Sequence, residues 1–414
     1  MNVTVILEHR FVQTPDGAVW TQTMFAYSFW QRYLEVFDGV KVVARILPVA
    51  QPPHDWKRAD GEGVSLIAVP YYIGPQQYLL KAFSVKLAVR NAVALNDAVI
   101  LRVSSQLAND VQPFLQRTRH PYGVEVVADP YDTFSPGSVK HPLRPFFRWW
   151  FPRKLRRICA GATAAAYVTE SALQQRYPPA KEAFSTHYSS VELPVEAFVP
   201  VPRYPKSEMQ SLTLITVGTM DQLYKAPDVL LYAVAACVRG GLDLKLVLLG
   251  DGKHRGELES LAAKLDLAER VRFLGDVTAG EGVRTQLDRA DLFVLPSHQE
   301  GLPRAAIEAM ARSLPCIGST VGGFPELLPP EDLVPPGNVP ALASKIRQVV
   351  TDPQRMASMS ARNLEKSKEY RDELLQKRRI AFYRYLRENT EAWLKQKTRT
   401  CLPQIDLRKE TGFL

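Results

Sequence analysis

The stretch Leu295-Pro296-Ser297-His298-Gln299-Glu300-Gly301-Leu302-Pro303-Arg304-Ala305-Ala306-Ile307-Glu308-Ala309-Met310-Ala311 decides how this 414-residue chain is read. A buried strand ends at Leu295, a polar loop follows, and a helix opens with Pro303 in its first turn, where proline forfeits no hydrogen bond. Such a helix end aims unpaired N–H groups and the positive end of its dipole outward, which suits phosphate. Glu300 and Glu308 stand roughly 12 Å apart at about 1.5 Å per residue, whereas a glycosidase-like pair needs about 5 to 9.5 Å. They read either as grips on separate parts of one long ligand, through its hydroxyl pairs, or as a solvated loop carboxylate and a helix glutamate paired with an arginine.

Outward from this stretch, short β-branched runs alternate with longer helical patterns, which predicts an α/β fold of parallel sheets wound by helices. In the first half the expected strands are Val3–Leu7, Val42–Ile46, Ser65–Val69, Ala98–Val103 and Val124–Ala128, with helices such as Tyr27–Phe37 and Tyr78–Ala94 between them. The second half restarts with Leu212–Val217, Leu244–Leu249, Val271–Leu274, Leu292–Leu295 and Pro315–Gly318. Between them, residues 193–205 hold Pro194, Pro200, Pro202 and Pro205, a stiff extended linker. The expectation is two Rossmann-like doubly wound domains, 1–200 and 201–380, and a helical tail over 381–414 that packs back on the first. The site should lie in the cleft between the carboxyl ends of their strands.

The spacing Glu300-x7-Glu308 with the interior GLPRAAI, followed by AMA, a strand and Gly322-Gly323-Phe324-Pro325-Glu326-Leu327, resembles the signature of the family 4 (group 1) glycosyltransferases. The resemblance implies a GT-B fold and a nucleoside-diphosphate-sugar donor held mainly by the second domain. It gives Glu308 the donor ribose and Glu300 the donor sugar hydroxyls, and it puts Gly301, Leu302 and Pro303 at the turn and helix start near the diphosphate. Val217-Gly218 followed by Lys225 resembles the family's phosphate clamp, but Thr219 stands at the arginine position, so Lys225 must act with helix donors or with another cation, for which Arg304 is a candidate. Gly250, in Leu249-Gly250-Asp251-Gly252, and Gly275, after Val271-Arg272-Phe273-Leu274, match strand-end turns of the donor pocket; the first also reads as a loop without ligand contact. The resemblance further implies a retaining transfer without metal or other cofactor, in which Lys225 and the helix donors carry the leaving-group charge and Glu300 and Asp129 face the reaction centre.

The first half carries a weaker signal. Asp16-Gly17 is a turn pair, and Trp20 beside it is either a platform for an acceptor sugar ring or a core residue. Asp129 follows the strand 124–128 where many relatives carry a histidine; it reads as a partner for a sugar hydroxyl or an oxocarbenium-like centre, or as a turn former. Residues 140–157 interleave seven basic residues with five aromatics and no acid. That pattern suits an anionic membrane surface and a lipid-linked acceptor, with a single-stranded nucleic acid groove and a purely structural helix as the other readings.

Lys plus Arg minus Asp plus Glu is 52 − 43 = +9, so removing that segment leaves +2 and argues against a surface coated for nucleic acid. Cys159, Cys237, Cys316 and Cys401 lie far apart without zinc-ligand spacing, which fits a reduced, cytoplasmic setting. The amino terminus lacks a signal-peptide pattern, and no apolar run approaches the about 20 residues of a membrane span, so the expected location is cytoplasmic or peripheral on the inner membrane face. Neither a dinucleotide fingerprint nor a P-loop is present. The reading is a glycosyltransferase of polysaccharide biosynthesis acting on a glycan or lipid-linked acceptor. Its rivals are a GT-B sugar-nucleotide epimerase or phosphorylase and a non-catalytic membrane-associated scaffold.

Overall fold

The computed structural model describes residues 1–138, 141–204 and 211–401. Lys140 of the basic segment, Pro205 of the linker and residues 402–414 of the tail lie outside the described residues. The first sheet contains β1 (Val3–Gln13), β2 (Val19–Thr21), β3 (Val40–Pro48), β4 (Lys57–Arg58), β5 (Val64–Val69), β6 (Ala98–Val103), β7 (Tyr122–Val126), β8 (Ala164–Tyr167) and β9 (Phe184–His187). Its parallel body runs β5-β3-β1-β6-β7-β8-β9. Past an irregularity between Ile6 and Arg10, β1 outruns β6 and takes β2 as an antiparallel partner, with β4 beyond.

Helices α1 (Tyr27–Leu34), α2 (Gly74–Ala92), α3 (Gln106–Thr118), α4 (Pro130–Thr133), α5 (Arg144–Ala160) and α6 (Ala172–Arg176) complete this domain. Val85 and Val89 of α2, Leu107, Val111 and Leu115 of α3, and Leu155 and Ile158 of α5 share one apolar core with the sheet. The sequence expectations lacked β8 and β9. Ala164-Ala165-Ala166-Tyr167 has helix-forming composition, and only burial on both faces, as parallel strands require, makes it a strand. β7 also ends two residues before the expected Ala128, because Val127 turns toward the second domain.

The second domain holds β10 (Leu212–Val217), β11 (Leu244–Leu249), β12 (Val271–Gly275), β13 (Leu292–Leu295), β14 (Cys316–Ser319) and β15 (Leu333–Val334) in the parallel order β12-β11-β10-β13-β14-β15. Around it lie α7 (Pro227–Arg239), α8 (Arg255–Lys264), α9 (Glu281–Asp288), α10 (Arg304–Ala311), α11 (Phe324–Leu327), α12 (Val339–Val350) and α13 (Pro353–Ser367). The proline-rich linker is pinned to this domain: Arg203 donates to the carbonyls of Leu287, Asp288 and Ala290, and Arg312 to those of Glu196 and Ala197.

The last helix, α14 (Asp372–Cys401), returns to the first sheet and lies over β8 and β9. The return starts at Asp372, ahead of residue 381. Phe382, Tyr383 and Leu386 are fully buried there, each adding roughly 1.5–3 kcal/mol of apolar burial. Tyr383 also joins a buried polar cluster in which Glu125 of β7 accepts hydrogen bonds from Arg102, Tyr33, Tyr188 and Tyr383. Burial alone would raise the Glu125 carboxyl, but Arg102 and the hydroxyls outweigh it and hold the group below the usual glutamate range.

Candidate active site

The chain enters the second sheet at its centre with β10, builds outward through β11 and β12, then reverses to β13 on the other side of β10. Adjacent βα loops diverge at such a reversal and leave a crevice beyond the strand ends, where open α/β sheets bind ligands. Lys225 comes from the loop after β10 and Glu300 from the loop after β13, so the two flank this crevice. Lys225 Nζ lies 2.6 Å from Glu300 Oε1, and Ser297 Oγ donates to the same oxygen at 2.7 Å. The His298 N–H donates to the Tyr224 carbonyl at 2.7 Å, which fastens the two loops together. Sequence reasoning named Lys225 and Glu300 but missed Ser297, whose hydroxyl fixes the carboxylate.

The glycines after β10, β11 and β12 form one backbone-lined wall. The Gly218 N–H donates to Leu249 O and the Gly250 N–H to Gly275 O, each at 2.9 Å. Gly250 has φ +127°, and a Cβ there would collide with the carbonyl oxygen of Gly218, so glycine is required both for conformation and for close approach. Thr219 Oγ1 accepts from the Asp221 N–H and reaches the Asp251 carbonyl at 3.4 Å. It holds the turn at the position where the family's arginine would supply charge.

Pro303 is the N-cap of α10 and not part of its first turn, with ψ 92°, and Arg304 is the first helical residue. Leu302 is a buried core side chain. Gly301 is small for a reason the sequence did not show: a Cβ there would press on the Val127 carbonyl of the first domain. Arg304 stands at the rim, its Nη1 3.6 Å from Met24 Sδ across the cleft. Glu308, one turn further, is half-buried; desolvation raises its carboxyl above the ordinary value against the opposing pull of Arg304 and Arg284. Arg284, on α9, carried no sequence signal because it meets Glu308 only through packing of α9 on α10.

Across the cleft the arrangement is different. Asp129 caps α4 by accepting from the Tyr131 N–H at 2.8 Å, and its carboxylate also binds Arg176 and the Tyr177 hydroxyl. The carboxylate is buried and engaged within its own domain, which is the turn-forming role. Asp16 closes the β1–β2 turn by accepting from Thr14 Oγ1 at 2.5 Å and from the Ala18 N–H at 3.2 Å, with Gly17 at φ +86°. Trp20 is half-buried and donates from Nε1 to Thr14 Oγ1 at 3.1 Å. These three shape the hairpin but do not join Lys225 and Glu300. A group the sequence reading missed is His9, at the irregularity of β1, whose Nε2 lies 3.1 Å from Thr21 Oγ1 and 3.3 Å from Thr23 Oγ1. Burial, reinforced by Arg45 and Arg10, lowers its pKa to about 4, so it stays neutral. Glu326 accepts from the N–H groups of Glu170, Ser171 and Ala172 at 2.6–2.9 Å and so bridges the domains.

Comparison with known proteins fits this geometry. Residues 211–352 match the family described as glycosyl transferases group 1. The chain is 25% identical over 334 residues to protein CapJ of Staphylococcus aureus, covering 80% of this chain and 82% of CapJ. It is 28% identical over 229 residues to a GDP-mannose-dependent monoacylated alpha-(1-6)-phosphatidylinositol monomannoside mannosyltransferase of Corynebacterium glutamicum, covering 50% of this chain and 58% of that one. Among solved structures, Anabaena HepE in complex with UDP and glucose superposes with a TM-score of 0.61 at 15% identity, over 95% of this chain and 100% of HepE. The two parallel-sheet domains, the crevice between β10 and β13 and these matches lead to one assignment: a glycosyltransferase of GT-B fold, whose residues 211–352 match the group 1 glycosyl transferases.

Proposed function

We propose that the chain transfers a sugar, with retention of anomeric configuration and without a metal ion, from a nucleoside-diphosphate-sugar to a hydroxyl of a glycan or lipid-linked acceptor in polysaccharide biosynthesis, at the inner face of a membrane. The observation that carries this is the Lys225–Glu300 pair at the strand reversal of the second sheet. Without donor, Glu300 is the anion that Lys225 neutralises. A donor diphosphate entering over Gly218 and Gly301 would draw Lys225 toward itself and free Glu300 for the sugar hydroxyls. The bond from the anomeric carbon to the diphosphate oxygen breaks, the bond to the acceptor oxygen forms on the same face, and the acceptor proton passes to the departing phosphate oxygen. Lys225, Arg304 and the backbone donors before α10 would stabilise the growing charge. Glu308 would hold the ribose hydroxyls, whose donors offset the desolvation that raises its carboxyl.

Two observations support the substrate classes. HepE binds UDP and glucose, and the C. glutamicum relative is named for GDP-mannose and a phosphatidylinositol mannoside, so the base differs among relatives while the diphosphate does not. Arg144, Arg148, Arg153 and Arg156 line a cavity of about 700 Å³ with Tyr131 and Trp149, which suits an anionic surface or acceptor phosphate. The test is thermal stabilisation by UDP-, GDP-, ADP- and dTDP-sugars, followed by product anomer analysis in the presence of EDTA. One nucleotide class should stabilise the fold, and Lys225→Ala should abolish that shift and lower kcat by about 10²–10³-fold. Stabilisation by none of them, or an inverted product, would end the reading.

A further inference from the structure

Helix α2 exposes apolar side chains that a folded domain ordinarily covers. Leu79, Leu80 and Phe83 are 72%, 87% and 83% exposed, with Ile73 just before the helix and Leu87 one turn on. Its opposite side is satisfied, since Val85, Val89 and Ala92 are buried against the sheet and α3. Single exposed leucines need no explanation, but a contiguous stripe over three turns does. The same helix carries Lys81, Lys86 and Arg90 and no acid.

Topology fixes where this stripe points. α2 lies between the parallel strands β5 and β6, and α5, after α4, between β7 and β8, so both helices run back from the carboxyl ends of the strands, the end where Val127 meets Gly301 of the second domain. The most exposed apolar residues fall in the first halves of both: Leu79, Leu80 and Phe83 on α2, with Leu87 beyond them, and Leu143, Phe146 and Trp149 at the start of α5. α3 packs between the two helices. One helical layer therefore presents two apolar ridges among basic residues, at the cleft end of the domain.

We infer that the α2 stripe inserts into an anionic lipid bilayer and, together with the start of α5, holds the mouth of the cleft against it. Apolar side chains on a helix surrounded by cations are the chemistry that lies in a headgroup layer: the apolar groups leave water while Lys and Arg remain at the phosphates. A protein partner would need its own excess of acid to match a helix without a carboxylate. The inference uses the lipid-linked acceptor only to say what the orientation is for; its evidence is the exposed face.

The experiment is co-sedimentation of the full chain with phosphatidylcholine vesicles, with and without phosphatidylglycerol, across a salt series. Binding should need the anionic lipid, weaken with salt, and fall at least about tenfold in the double variant Leu80→Ser, Phe83→Ser with unchanged thermal unfolding. Equal binding of that variant, equal binding to neutral vesicles, or a dimer that the variant abolishes while vesicles bind neither form, would overturn the inference. Donor-induced stabilisation is read on the same samples. A chain that binds donor but no vesicle refutes the docking alone, and one that binds vesicles but no donor refutes the transferase reading alone.

Discussion

The two sheets share one winding and use their strand reversals in opposite ways. In the first domain the reversal lies between β1 and β6, and Glu8 fills it. Its carboxylate accepts from the Gln106 and Leu107 N–H groups at 3.0 and 3.2 Å, capping α3, and from the Tyr72 hydroxyl at 2.6 Å, while Arg45 pairs with it at 3.2 Å. The helix end that would attract a phosphate already holds an anion from its own chain. In the second domain the corresponding crevice is flanked by Lys225 and Glu300, with glycine backbone for a wall. The same topology thus makes a structural plug in one half and leaves a glycine-lined crevice with an ion pair at its edge in the other, and the difference lies in where each loop places its carboxylates.

That contrast can be broken experimentally. The largest effect is expected from Glu125→Ala, which leaves Arg102 buried without its counter-charge; first-domain unfolding should lose about 3–5 kcal/mol in denaturant titration while donor binding by the second domain persists. Glu8→Gln keeps the shape but removes the charge beside Arg45 and weakens the cap, so a loss of about 1–3 kcal/mol is expected. A phosphate-dependent rise in that variant's melting temperature would sharpen the comparison by showing that the plug had hidden an anion site. The smallest effect concerns Glu308. Its folded-state carboxyl titrates above the ordinary value because of burial, so the stability it contributes is present below that ordinary value and is lost as pH rises through the raised one. Without donor, Glu308→Gln should therefore be the more stable form at neutral pH, and the difference from the unsubstituted chain should vanish in acid. A difference independent of pH would count against burial as the cause.

The second domain was legible because its function follows the chain. Strand, loop and helix from Leu292 to Ala311 are consecutive, so Glu300 and Glu308 could be placed by rise per residue, and Lys225 entered through the family resemblance. The first domain was legible as a fold but not as a site. Asp129 had the right position after β7, yet its partners Arg176 and Tyr177 come from beyond β8, and nothing near Asp129 in the sequence announces them. His9 hid inside a strand because the irregularity that turns it toward Thr21 and Thr23 arises from pairing with β3 and β2. A helical pattern over 78–94 does not reveal the α2 stripe, because exposure on one face depends on what the neighbouring helices leave uncovered.

The sequence by itself determined the alternation of strands and helices, its restart after the proline-rich linker and the spacing of Glu300 and Glu308 along one loop and helix, because periodicity and turn chemistry are local. Only the tertiary structure decided that Asp129 is a cap, that Glu8 stops the first crevice, that Gly301 is small to admit the other domain, and that α2 stays bare. Each of these is a relation between segments tens to hundreds of residues apart, and burial, charge pairing and exposure come into being only when those segments are packed together.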